Sequence, residues 1–150
     1  MEKPFPAPTA ETRIFWDGCR RGELLYQSCR KCGHVQFYPR RLCIRCLSEE
    51  VDWRHSSGNG TIFTVTTVNR PTTAAFKDDV PYVIALVDLD EGFRMMLNVH
   101  GDSRLNARIG DRVRIGFEER PRGETVPFAE LVSDAGSGTS TIEKAQERTA

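Results

Sequence analysis

Four cysteines stand in two matched clips, Cys29-x2-Cys32 and Cys43-x2-Cys46, with ten residues between them. A two-residue spacer turns both thiolates of a clip toward one ion, and two clips complete a tetrahedral all-thiolate shell. Zinc suits that shell, being borderline-soft and content with tetrahedral sulfur. Gly33 follows the first clip, where a tight knuckle favours a residue free to take positive φ. Two disulfides are the competing use of these thiols, but they need an oxidising compartment. A redox pair needs one CxxC in a βαβ setting, not two matched clips. With all four positions filled by protein, the ion is expected to be structural, not catalytic. Cys19, the fifth cysteine, lies in a helix-like segment and reads as a small buried apolar residue.

The clips need a scaffold. The three prolines of residues 1–8 predict an extended, flexible arm, and Thr9 or Thr12 can cap a helix running to about Arg21. Ile14, Phe15 and Cys19 should share one side of it, Phe15-Trp16 adds a large aromatic surface, and Gly22 is a natural stop. Leu24 to Ser28 reads as a strand entering the first clip. Val35 to Tyr38 returns from it, and Pro39 ends that strand. Strand, knuckle, strand, knuckle is the layout of a zinc ribbon, placed with the helix over residues 9–55, and so small a unit needs metal to be stable. Ser56 to Gly60 is a turn. Beyond it, Thr61–Val68, Tyr82–Leu89, Phe93–Val99, Arg112–Phe117 and Pro127–Val132 read as strands, with a hairpin turn at Asp90-Glu91-Gly92. Five strands over residues 56–132 predict a small closed or nearly closed barrel. The loop from Pro71 to Val80 carries Phe76, either as a functional aromatic or folded back on the barrel. Residues 133–150 are Gly/Ser/Thr-rich and then charged, and are expected to be a disordered tail.

The chain has 150 residues, 39% hydrophobic and 28% charged, with a formal net charge of zero. That fits a soluble protein without a global field for nucleic acid or membrane. No run of about 18 apolar residues is present. The N-terminus lacks an apolar signal region, so a cytoplasmic location is expected. Charge is uneven, however. Arg13, Arg20, Arg21, Arg30, Lys31, Arg40, Arg41 and Arg45 face only Asp17 and Glu23 between Thr12 and Ser48. A basic module precedes an acidic body, which is either a solvated surface or a site for a phosphorylated ligand or acidic partner.

The order of these features resembles one family, a zinc ribbon plus OB-fold long catalogued as a domain of unknown function and associated with acyl-CoA enzymes. The matching residues are Phe15-Trp16, Gly22-Glu23-Leu24, Cys29 to Gly33, Phe37-Tyr38-Pro39-Arg40, Cys43 to Cys46, Gly60-Thr61-Ile62, Pro81-Tyr82, Leu89 to Gly92 and Gly110 to Val113. Ile44 departs from the proline that the family often places in its second clip, which affects turn stiffness and not ligation. The resemblance implies a mainly β fold: an N-terminal helix and rubredoxin-like ribbon, then a five-stranded OB-fold barrel. It further implies an accessory subunit, not catalytic alone, that assembles with a thiolase-like or MaoC-like hydratase enzyme of lipid metabolism and helps hold its CoA thioester. A homodimer within a larger complex fits that picture. Arginine forks suit the phosphates of CoA, and aromatic rings suit its neutral arm. Phe15, Trp16, Arg40, Arg41 and Phe76 are the residues expected to meet the ligand, and Cys29, Cys32, Cys43 and Cys46 the metal.

Two other functions compete. Ribbons and OB folds also occur in nucleic-acid-binding modules, but such a groove needs a positive track and stacking rings, and the barrel half is acidic. An independent enzyme is the other. Its histidines would be His34 in the first knuckle, His55 in the linker and His100 at a strand end, none in a recognised catalytic spacing. Asp88, Asp90 and Glu91 read as solvated turn residues.

Overall fold

The computed structural model of the chain describes residues 3–4, 6–121 and 123–132. The tail expected over 133–150, and part of the arm expected over 1–8, lie outside the described residues. One helix, α1 (Arg13–Arg20), opens the fold. Thr9 caps the turn that leads into it: its carbonyl accepts the Arg13 N–H at 2.9 Å and its hydroxyl the Thr12 N–H at 3.3 Å, while the Thr12 hydroxyl accepts the Thr9 N–H. This is the reciprocal logic of a capping box. At the other end Gly22 takes φ +73°, and the Glu23 and Gly22 N–H groups close back on Gly18 and Cys19. Phe15, Gly18 and Cys19 are the buried face. Ile14, expected on that face, is 46% exposed, because the core lies to one side of a helix too short to hide a wider stripe.

The ribbon is a three-stranded antiparallel sheet, with β1 (Leu25–Cys29) between β2 (Val35–Gln36) and β3 (Val51–His55). β3 corrects the sequence reading, which placed His55 in a linker; His55 pairs with Leu25 as the last residue of this strand. The return strand is also shorter than expected, since Phe37 leaves the ladder to stack on Phe93 of the barrel.

Five strands follow: β4 (Asn59–Val68), β5 (Tyr82–Leu89), β6 (Arg94–His100), β7 (Arg112–Glu119) and β8 (Thr125–Leu131). They close in the order β4-β5-β6-β8-β7, with a short parallel seam between β6 and β8 and closure where Asn59 to Thr61 pair with Arg112 to Arg114. This is the OB fold. Along β5, Val83, Ala85, Val87 and Leu89 point inward in strict alternation. They meet Ile62, Met95, Leu97, Val99, Val113, Ile115 and Ala129 in the core.

Helix, ribbon and barrel share one hydrophobic cluster, for Phe15, Cys19 and Leu24 join the barrel residues. A series of rings crosses the junction. Phe93 of the barrel stacks on Tyr26 (5.0 Å) and on Phe37 (5.7 Å), and Phe37 meets Phe15 edge-on (5.3 Å). The linker is fastened by Glu91, whose carboxylate accepts the Ser56 hydroxyl (2.7 Å) and the Ser57 N–H (2.6 Å).

The carboxylates at this strand end are therefore engaged, not merely solvated. Asp88 takes Arg94 at 2.6 and 3.0 Å, and Asp90 takes Arg112 at 2.7 Å on both oxygens. The hydrogen bond from Arg112 is the largest influence holding the Asp90 pKa below its ordinary value. At Glu91 burial alone would raise the pKa, but the Ser57 and Ser56 donors outweigh it and the net shift is downward. A carboxylate with a lowered folded pKa stabilises the fold fully above its ordinary value of 4.5, and that contribution is lost as pH falls through the lowered value. Replacing Glu91 with Gln is expected to cost about 1 kcal/mol at neutral pH. It should also make the acid limb of stability shallower, as read by denaturant unfolding between about pH 7 and 3.

Candidate functional site

Two places in this fold have the chemistry of a site: the cysteine quartet, and the junction of helix, ribbon and barrel. In the first, the four Sγ atoms lie within 4.8 Å of one another. Cys29 faces Cys46 and Cys32 faces Cys43, each pair at 3.6 Å. A tetrahedron with metal–sulfur bonds of about 2.3 Å has edges of about 3.8 Å, so the donor set fits zinc in number, type and spacing. No cysteine is paired in a disulfide. Burial would raise the Cys43 thiol pKa, but N–H groups of Cys46 and Arg45 and the adjoining thiols bring it down to about 7. At Cys46 the Ser48 N–H lowers the pKa, and burial with the three neighbouring thiols pushes it up to about 12. Four thiols this close share their protons unequally, and a bound cation would release them. Cys19 stands apart, fully buried, with its thiol pushed up to about 12 by that burial. It is core, as its position in the helix implied.

The second knuckle is pinned by two glutamines that the sequence reading did not single out. Gln27 and Gln36 are buried, and the Gln36 amide N–H donates a hydrogen bond of 2.9 Å to Gln27 Oε1. Gln27 also exchanges bonds with the backbone of Arg40, and Gln36 with that of Leu42 and Ile44. A buried amide must spend all its groups on partners, so the pair fixes the loop with little freedom. The signal was present: Gln27 sits midway between buried Leu25 and Cys29, on the inward face of an alternating strand.

At the junction, a cavity of about 520 Å³ opens between α1, residues 37–39 after the ribbon's return strand, and the β5–β6–β8 side of the barrel. Phe15, Trp16 and Phe37 form one wall, and Ile84, Leu97 and Phe128 the other. Asn98, His100, Glu118 and Arg120 on the barrel side and Thr9, Thr12 and Tyr38 on the other supply its polar groups, while Pro6 and Ala7 of the arm also line it. His100 stacks flat on Phe128 at 4.4 Å. Phe128 lies in turn over Gly116, where a Cβ would come within 2.5 Å of its ring, so the glycine sets how deep this wall sits. A second hollow shares Phe37, Tyr38, Met95 and Met96 with the first and continues toward the second knuckle. Arg40, stacked over Tyr38 at 5.1 Å, and Arg94, stacked over Phe63 at 3.5 Å, are its cations.

Of the residues expected at a ligand, Phe15 and Trp16 line the first cavity and Arg40 the second. Arg41 points away and faces Glu49 at 3.5 Å across an exposed pair. Phe76, on a short 3-10 turn (Ala74–Phe76), is half-buried against Tyr82 at 6.0 Å, away from both hollows. His100 was read only as a strand end, and its place in the wall depends on β6 meeting β8, a pairing between distant segments.

The chain matches two family models that adjoin each other. Residues 16–52 match the ChsH2 rubredoxin-like zinc ribbon domain, and residues 53–118 the ChsH2 C-terminal OB-fold domain. It is 35% identical over 107 residues to a DUF35 domain-containing scaffold protein of Methanothermobacter thermautotrophicus, covering 70% of this chain and 80% of that one. It is 28% identical over 125 residues to a probable enoyl-CoA hydratase alpha subunit of Thermomonospora curvata, covering 83% of this chain. The match spans 39% of the length of that subunit. Among solved structures, one described as the Ltp2-ChsH2(DUF35) aldolase superposes with a TM-score of 0.75 and 27% identity, over 85% of this chain and 98% of that one.

Proposed function

The chain belongs to the family of rubredoxin-like zinc ribbons joined to OB folds that includes the ChsH2 domains and the DUF35 scaffold proteins, and from that membership we propose that it is an accessory, non-catalytic subunit of a thiolase-like or hydratase enzyme, holding part of a CoA thioester at its helix–ribbon–barrel junction. The pair of joined hollows is the observation that carries this reading. The first is walled by aromatic and aliphatic side chains with polar groups at its margin, a composition suited to an acyl or pantetheine arm. The second adds Arg40, a planar donor fork suited to phosphate. Bound zinc would supply no reaction chemistry here, since its four sites are taken by Cys29, Cys32, Cys43 and Cys46; it would hold the ribbon wall in place. The names of relatives support the same reading: one is a probable enoyl-CoA hydratase subunit, one a scaffold protein and one an aldolase.

Gel filtration with light scattering tests it, using the zinc-loaded chain mixed with a thiolase-like or hydratase-like protein encoded beside it. A stoichiometric complex is expected, with turnover of a CoA thioester seen only in fractions that contain the larger enzyme. Separate elution with every such enzyme, or turnover by this chain alone, would defeat the proposal. A labelled single-stranded oligonucleotide run at physiological salt checks the nucleic-acid alternative, and no shift is expected.

A further inference from the structure

The two cysteine knuckles are built alike. In each, the first cysteine N–H donates to a carbonyl five residues on, Cys29 to His34 and Cys43 to Ser48, both at 2.9 Å. In each, the residue after the clip donates back to the first cysteine's carbonyl, Gly33 to Cys29 and Leu47 to Cys43, again at 2.9 Å. Gly33 and Leu47 are therefore equivalent, with φ of +70° and +60°. Glycine takes that conformation freely, whereas a leucine Cβ is crowded there. Leu47 is the one non-glycine residue with positive φ among the described residues. Its side chain offsets nothing by packing, for it is 73% exposed. Ile44, in the same knuckle, is 62% exposed, and Leu42 beside it is also exposed.

We propose that this second knuckle is a docking surface, anchored by Leu47 and Ile44, for a protein partner that presents an apolar pocket edged with carboxylates. The inference rests on the accessory-subunit reading and names the surface that would serve it. Three exposed aliphatic residues on one short loop make a contact patch, not scattered surface. The rim is positive: Arg41 and Arg45 flank the patch and Lys31 extends from the facing knuckle, all exposed. Glu49, 3.5 Å from Arg41, opposes them, and Glu50 next to it is the other exposed acid of this segment, so the cations still outnumber the acids. A positive rim around an apolar centre selects a partner of the opposite charge. Aliphatic tips offer no face for a base to stack on, which favours protein over nucleic acid. The Gln27–Gln36 pair holds the loop rigid, so little ordering is lost on binding.

Leu47→Gly separates this role from a structural one, because it installs the residue that the matching knuckle already uses. The zinc-loaded variant is expected to keep its metal content and its Tm, or to gain roughly 2–4 °C. Its affinity for the thiolase-like or hydratase-like protein that binds the wild type should fall at least about tenfold, and Ile44→Ser should act in the same direction. Raising salt should weaken the wild-type complex. A variant that binds as tightly as wild type would overturn the knuckle alone and leave the accessory reading standing. Loss of metal or of several degrees in Tm by Leu47→Gly would show Leu47 to be structural and would also overturn it. A wild type that binds no such enzyme, or an oligonucleotide shift abolished by Leu47→Gly, overturns both.

Discussion

Stripping the metal is expected to unfold the ribbon, residues 25–55, while the barrel keeps its strands at reduced stability. Within the ribbon the buried apolar residues are Leu25, Cys29, Pro39 and Cys43, beside the two buried glutamines. That is far too little to offset the entropy of ordering about thirty residues at 1–2 kcal/mol each. Structural zinc contributes about 10–16 kcal/mol in comparable small modules, which exceeds the whole stability of many domains. Without it, four thiols share a space of 4.8 Å with nothing to bind them together. Cys29→Ser should act as chelation does, since it removes one of four ligands. Metal analysis should find about one zinc per chain before treatment. Afterwards, amide signals of β1 to β3 should collapse while those of β5 and β6 persist. A ribbon that stays ordered with its metal removed would show that the cysteines are not its staple.

Phe93→Ala is expected to cost about 3–5 kcal/mol, the usual range for deleting a buried ring. Phe93 is only 5% exposed and stacks with Tyr26 and Phe37, so it is the barrel's contact with both arms of the ribbon. For a chain of this size the loss should lower Tm by on the order of 10 °C. A double-mutant cycle with Tyr26→Ala should return a coupling of about 0.5–1.5 kcal/mol, the part that belongs to the ring pair. Phe37 also lines both hollows. Loosening Phe93 should therefore disturb the junction and weaken partner binding without touching the cysteines. A cost under about 1 kcal/mol would mean that the ribbon and barrel do not pack through this residue.

Strands that bury one face were legible in the sequence because alternation writes them there. Tyr82–Leu89 has the same bounds in the sequence reading and in the fold, since every second residue enters the core. The cysteine clips were equally plain, their spacing being a direct statement of geometry. β3 was missed for the complementary reason. Val51-Asp52-Trp53-Arg54-His55 has no fully buried residue, so it carries no period, and it becomes a strand only by pairing with β1 over five positions. Such a strand is a product of the sheet, not of its own pattern. The junction cavity was out of reach for another reason. Its walls come from residues as far apart as Pro6 and Phe128, and Phe128 takes its place only because Gly116 leaves room beneath it. The aromatic pair Phe15-Trp16 hinted at one wall. Nothing in the local sequence separated Arg40, which reaches the second hollow, from Arg41, which turns to Glu49.

Titration of a medium-chain acyl-CoA against free CoA, by calorimetry on the zinc-loaded chain alone and in its enzyme complex, tests the central claim most directly. The apolar cavity requires that the acyl form bind more tightly than CoA. Burying several methylenes at about 0.8 kcal/mol each should give at least a tenfold preference, reduced by Trp16→Ala and unchanged by Phe76→Ala, whose ring lies outside both hollows. Equal affinity for the two ligands, or no binding of either in both preparations, would contradict it.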